Sequence, residues 1–299
     1  MMLSIIKNIK LLWQHVVRRK WIRRCMGFVA AFVFIFLILN ALFPLRINIH
    51  YSQIITASDG TVLHAFLSKD DKWRLKTELN DITPTLKKAI IYKEDKYFYY
   101  HPGINPAAIV RAIFNNTIKG KKTSGASTIT MQVARMLDPK DRTYVNKLME
   151  IFHAFQLEYH YSKNEILQFY LNLIPFGSNI EGVKSASYIY LQQEPDYMSL
   201  AQTVALSIIP NRPSSLLIGK DNERIIHERN KWLNRLKGDK IFPSEDIEDA
   251  LLEPFHHKRH DVPKLAPHLS LRLAASHKNQ PIIHSCIDRA KQEKAENLA

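Results

Sequence analysis

Hydrophobic and polar positions change period twice along the chain. From Cys25 to Leu45 no residue is charged, and Phe28, Val29, Phe32, Val33, Phe34, Ile35, Phe36, Leu37, Ile38 and Leu39 make the window almost continuously apolar. As a helix its 21 residues extend about 32 Å, against about 30 Å for the hydrocarbon core of a bilayer. The pattern predicts one N-terminal transmembrane helix over 25–45. A cleaved signal peptide is shorter and ends in small residues. Asn40-Ala41-Leu42-Phe43-Pro44 offers no such site, so the anchor is expected to remain.

After the anchor the period drops to two. Ile47-Asn48-Ile49-His50-Tyr51 alternates, and Ser58-Asp59-Gly60 is a hairpin-type turn between Ile54-Ile55 and Val62-Leu63. A small β stem over 46–80 is expected. From Thr83 the period becomes helical. Thr83-Pro84 is an N-cap followed by proline at the first helical position, Asn105-Pro106 repeats the device, and Ser162-Lys163-Asn164-Glu165 has capping-box spacing. Helices are expected at about 84–100, 106–119, 125–136, 141–161, 163–172, 179–191, 198–208, 223–237 and 244–252. There is no internal repeat. The expected order is a basic tail (1–24), the anchor (25–45), the stem (46–80), one mostly α domain (81–255) and a linker with a terminal region (256–299).

Composition supports a folded body, because 46% of the 299 residues are hydrophobic and 23% charged. Lys and Arg number 42 against 28 Asp and Glu, a net charge of +14 that by itself suggests nucleic acid. Placement changes that reading. Lys7, Lys10, Arg18, Arg19, Lys20, Arg23 and Arg24 precede the anchor with no acid among them, which leaves 35 basic against 28 acidic residues in the rest. The positive-inside rule puts the tail in the cytoplasm and everything after Arg46 outside, so nucleic acid is excluded as a partner. Two cysteines, Cys25 and Cys286, form neither a disulfide framework nor a cysteine zinc site. His153 and His160 lack H-E-x-x-H spacing, and His256, His257 and His260 sit in a basic, proline-flanked stretch, so no metal site is expected.

Three segments carry candidate chemistry. On one continuous helix Glu94, Phe98 and His101 share a face, and Pro102-Gly103 ends that helix. A carboxylate beside aromatic surface loses solvation in its charged form, which suits a general base; the plainer alternative is an amphipathic helix with solvated acids. The hydroxyl-rich turn Thr123-Ser124-Gly125-Ala126-Ser127-Thr128 opens a helix between Lys121-Lys122 and Arg135. It suits a phosphate or diphosphate without being a Walker loop, and equally suits a capped helix start. Glu150 shares a face with Ala154, Leu157 and Tyr161, with Lys147 one turn before it. An ordinary i, i+3 surface ion pair is the plainer reading there.

In this order the segments resemble the peptidoglycan glycosyltransferase module of class A penicillin-binding proteins, glycosyltransferase family 51. Glu94 to Gly103 matches E-D-x-x-F-x-x-H-x-G, Gly125 to Gln132 matches G-[GA]-S-T-[IL]-T-x-Q, Lys147 and Glu150 fit R-K-x-x-E, and Lys163 to Asn172 matches K-x-x-I-L-x-x-Y-L-N. The resemblance implies a mostly α, lysozyme-like, two-lobed domain with a small β stem and one transmembrane helix, held on the outer face of the inner membrane. It implies polymerisation of lipid II, with the growing lipid-linked glycan, the membrane and other cell-wall synthesis proteins as partners. Glu94 is implied as the base, with Glu150 assisting the donor side. Substrate contacts are implied for Asp95, Phe98, His101, Ser127, Thr128, Gln132, Arg135 and Lys147. No cofactor is called for, and a divalent cation is left open.

Two departures stand out. Asn146 occupies the position of the family's Arg before the motif Lys, with Arg142 nearby as a substitute cation. No K-T-G occurs, the one S-x-x-K match is Ser4-Ile5-Ile6-Lys7, and Ile282 to Asp288 resembles the very start of a transpeptidase domain. A truncated or split gene product is therefore expected. The competing readings are a catalytically impaired cell-wall scaffold and a lysozyme-like hydrolase, against which the diphosphate-type segment argues.

Overall fold

Pro44 sets the end of the first element. Proline disfavours helix at the residue before it, and helix α1 (Met2–Leu42) stops just short of it. The computed structural model describes residues 2–118, 127–278 and 280–298; it divides into two units, Met1–Ile47 and Asn48–Ala299. Within the first, Trp21–Leu42 is a 22-residue stretch long and apolar enough to cross a membrane. The helix also runs back through the basic tail, beyond the expected 25–45.

In the second unit the hairpin forms as its turn predicts. Strands β1 (Ile54–Thr56) and β2 (Val62–Ala65) pair antiparallel around Gly60, whose φ of 85° favours glycine. The third strand, β3 (Ile282–His284), comes from the far end of the chain and pairs parallel to β1, with Ile54 opposite Ile282. Ile55, Ala57, Leu63 and Ile283 form the buried face of this sheet. Stem and terminal region thus share one hydrophobic face.

The remaining elements are α2 (Pro84–Asp95), α3 (Pro106–Ile118), α4 (Ile129–Leu137), α5 (Tyr144–His160), α6 (Lys163–Leu173), α7 (Val183–Ala186), α8 (Leu200–Ile208), α9 (Asn222–Gly238), α10 (Ser244–Leu252), α11 (Pro267–Ser276) and α12 (Arg289–Leu298). The fold is mostly helical with a small sheet. One group packs α2, α8, α9 and α10 around Ala201, Val204, Leu233, Leu236, Ile247 and Ala250. The other packs α4 against α5 and α6, and α2 touches α4 to join the two.

Besides the longer α1 and the strand β3, the structure differs from expectation in three places. The helix expected over 84–100 ends at Asp95, and Phe98–Tyr100 is a separate 3-10 turn. The one expected over 179–191 is only α7 followed by a π turn, Ser187–Leu191. Helices α11 and α12 were not expected. The helix start expected at 125 lies outside the described residues, which resume at 127.

Polar zippers fasten the stem to the helices. Arg74 is buried, and its Nε donates to Glu181 at 3.0 Å and its Nη2 to Asp70 at 2.9 Å. Farther along, the fully buried Asn172 of α6 accepts from Thr77 N at 2.9 Å and donates to Thr77 O at 2.9 Å and Gln168 O at 2.8 Å. An apolar replacement strands both Thr77 backbone groups. Asn172→Leu is expected to cost about 2–4 kcal/mol, measured as a fall in the urea midpoint with an unchanged m-value.

Candidate active site

The last residue of α2, Asp95, is buried, and its carboxylate is fully engaged. His101 Nε2 lies 3.0 Å from each oxygen, and Ile129 N, the first amide of α4, donates at 3.1 Å. A carboxylate at a helix N-terminus is favoured by the exposed amides and the helix dipole. Thr128 caps the same helix by accepting from Met131 N at 3.1 Å, while its own hydroxyl donates to Gly103 O at 2.6 Å. Gly103, with φ 82°, is required here: a Cβ would lie 2.9 Å from Glu158 Cγ and 3.1 Å from Ala154 O.

Lys163 closes this turn from α6. Its ammonium donates to His101 O and to Glu158 Oε1, each at 2.7 Å, and lies 4.5 Å from the centroid of Phe98. Phe98 is fully buried, a burial that contributes about 2–3 kcal/mol. Glu158 also accepts from Thr130 at 2.6 Å. Asp95, Phe98 and His101 are therefore inward-facing parts of a rigid turn. Lys163 and Glu158 were absent from the sequence-derived site residues, although Lys163 opens the fourth motif.

One residue before Asp95, Glu94 points elsewhere. Its side chain keeps 8% exposure, and the carboxylate pairs with Lys93 through one oxygen and accepts from Gln132 Nε2 at 3.2 Å through the other. Tyr170 of α6 is buried behind it, with a hydroxyl that has no hydrogen-bond partner among the described residues. Burial first, then the Glu94 charge, hold the Tyr170 phenol far above its usual range, with Arg135 opposing.

Beside α4 and α5 is a cavity of about 490 Å³, lined by Ser127, Arg135, Arg142, Asn146, Lys147 and Glu150 among others. Lys147 Nζ donates to Ser127 Oγ at 2.9 Å and to Glu150 Oε1 at 2.7 Å. The i, i+3 pair expected from sequence exists, but Glu150 is only 10% exposed and its partner also holds the turn before α4. His153 lines the same cavity, and burial lowers its pKa against the opposing charge of Asp138. The structure brings Ser127, Arg135, Lys147 and Glu150 together here, and Glu94 together with Gln132. Lys121 to Ala126, the start of the phosphate-type segment, lies outside the described residues. Among the described residues no group of three or more His, Cys, Asp or Glu gathers as a metal cluster.

This ordered set of residues falls inside a region that a family model described as Transglycosylase matches, residues 59–237. The chain belongs to the transglycosylase family. It is 35% identical over 261 residues to penicillin-binding protein 1C of Escherichia coli K12, covering 87% of this chain and 34% of that one. It is 31% identical over 220 residues to penicillin-binding protein 1A of the same strain, covering 72% and 25%. A solved structure of penicillin-binding protein 1A from Haemophilus influenzae aligns with a TM-score of 0.40 at 16% identity, over 84% of this chain and 29% of that chain. The chain spans about a third or less of the length of these relatives.

For this transglycosylase domain, Lys163→Met is expected to raise amide hydrogen exchange across 96–104 by about tenfold or more, with α9 and α10 unchanged. Unchanged exchange in that turn would mean that burial of Phe98 alone holds it.

Proposed function

We propose that this protein is a membrane-anchored peptidoglycan glycosyltransferase that polymerises lipid II into glycan strands. The observation that carries the reading is the pairing, along α4, of a nearly buried carboxylate at Glu94, held by Gln132, with a cavity that carries Arg135 and Lys147. The transglycosylase match over 59–237 supports it.

In the proposed reaction Glu94 takes the proton of the acceptor sugar's 4-hydroxyl. The oxygen forms a bond to the anomeric carbon of the lipid-linked donor, on the face opposite the diphosphate. The bond from that carbon to the diphosphate oxygen breaks, its electron pair leaves with the lipid diphosphate, and configuration inverts. Gln132 orients the base through its 3.2 Å contact. Negative charge grows on the departing diphosphate, and donors already in place stabilise it without reorganising. Ser127, Arg135 and Lys147 fill that role, with Glu150 keeping the Lys147 ammonium on Ser127. Asp95, Phe98, His101 and Thr128 act by position, since their polar groups are engaged inside the turn. The apolar stretch Trp21–Leu42 holds the domain at the outer face of the inner membrane, where the lipid-linked substrate resides, with the basic tail inside.

The test is synthesis of glycan from labelled lipid II by the purified full chain. Glu94→Gln is expected to lower turnover by about 10²-fold or more while leaving the thermal midpoint near that of the unmodified protein. Lys147→Ala is expected to weaken donor use by about tenfold, through loss of a charge-assisted contact. No glycan from the unmodified protein, where a related enzyme gives product, would favour the scaffold reading instead.

A further inference from the structure

The ion pair at the end of α2 joins two residues that a helix does not normally bring together. Successive helical residues point about 100° apart, and side chains at i and i+1 do not face each other. Yet the Lys93 ammonium reaches Glu94 Oε1, and the two side chains keep only 4% and 8% exposure. Among the described residues Glu94 is the hydrogen-bond acceptor of that ammonium. The neighbour that turns Lys93 back is on α9. Trp232 packs, partly buried, against the core shared by α8, α9 and α10, and its ring centroid lies 5.6 Å from Lys93 Nζ. An indole face attracts an ammonium, and more strongly where water is excluded. Lys93 is thus held between the core of the α9 group and the candidate base.

This arrangement acts on the carboxylate. The last torsion of a glutamate is broad, so a carboxylate held at one oxygen alone can turn its plane. Glu94 is held at both. Lys93 takes Oε1, while Gln132 Nε2 donates to Oε2 at 3.2 Å. The two donors come from different helices, α2 and α4, so together they fix the plane of the group. The Lys93 charge also offsets the cost of keeping an ionised carboxylate out of water. We infer that Lys93, turned toward Glu94 by Trp232, is a positioning residue for the base, fixing the carboxylate plane and supplying the positive charge beside it. This deepens the reading of Glu94 as the base and rests on it.

The experiment measures lipid II polymerisation by the full chain in detergent, with kcat and KM separated. Lys93→Met keeps the length and removes the charge; it is expected to lower kcat about tenfold or more, as a misplaced catalytic group does. KM is expected to stay within about twofold, because an interaction that serves only the chemical step leaves substrate binding alone. Lys93→Arg restores the positive charge and is expected to recover the larger part of kcat. Trp232→Leu, which leaves Lys93 in place, is expected to lower kcat several-fold, with Trp232→Phe between; this arm decides the matter if a Lys93 variant does not fold. Lys93→Met combined with Glu94→Gln is expected to be no slower than Glu94→Gln alone, since a positioning residue has no effect once its target is gone. Unchanged kcat in Lys93→Met, no recovery in Lys93→Arg, or losses that add in the double variant would each overturn the inference while leaving the proposed function standing. Lysine labelled with ¹³C at Cε gives a second readout that needs no turnover. The Lys93 resonance, assigned by its loss in Lys93→Met, is expected to be displaced by the indole ring and to move in both Trp232→Leu and Glu94→Gln. That result in a chain that makes no glycan keeps the clamp on Glu94 and removes the proposed function. A Lys93 resonance at the position of exposed lysines removes the clamp whatever the turnover.

Discussion

The carboxylate of Asp95 is the constraint on which the candidate site depends. It joins the end of α2 to the first amide of α4 at 3.1 Å and to His101 at 3.0 Å, so two helix ends and the turn between them move as one body. Thr128 to Gly103 and Lys163 to His101 O fasten the same turn at two further points. Successive residues on a helix point about 100° apart. Pinning Asp95 toward the α4 N-terminus therefore fixes where Glu94 must point, and Gln132 one turn into α4 is what it meets.

Helix α4 then sets the spacing of the chemistry. Gln132 and Arg135 are three residues apart and neighbours on its surface, about 5–6 Å between Cβ atoms. The first contacts Glu94 and the second lines the cavity shared with Lys147 and Glu150. Thr130 binds Glu158, which anchors the helix to α5. A short helix held at its N-terminus and along one side is a rigid ruler between two charged groups. Its buried Ile129, Val133 and Ala134 keep it seated against α5 and α6.

Local signals explain what the sequence made legible. Thr83, Thr143 and Ser162 cap helices α2, α5 and α6 as their side chains allow, and Ser162 with Glu165 forms the complete capping box. The hairpin at Gly60 follows from its turn residues. Long-range pairings are what the sequence withheld. Strand β3 needs its partner more than two hundred residues earlier, and no short window of Ile282 to His284 signals a parallel strand. The helix expected over 84–100 breaks because Asp95 and His101 meet each other, whereas a straight helix would set them on different faces. The first three motifs pointed to Glu94, Ser127, Lys147 and Glu150, but the contact between Glu94 and Gln132 cannot be read from spacing.

An inventory of carboxylates separates structure from chemistry. Asp95 accepts from a backbone amide and a buried ring, and Glu158 from Thr130 and Lys163, so both belong to the framework of the turn. Glu150 is bound to a lysine that also holds Ser127. Glu94 stands outside that turn. Its partners, Lys93 and Gln132, are side chains with rotamers of their own, and no backbone amide depends on it. Protonating it releases two side-chain contacts and leaves the helix junction intact. A general base must change charge on every turnover. In the proposed reaction that demand falls on Glu94, whose side-chain partners can re-form around a neutral carboxyl.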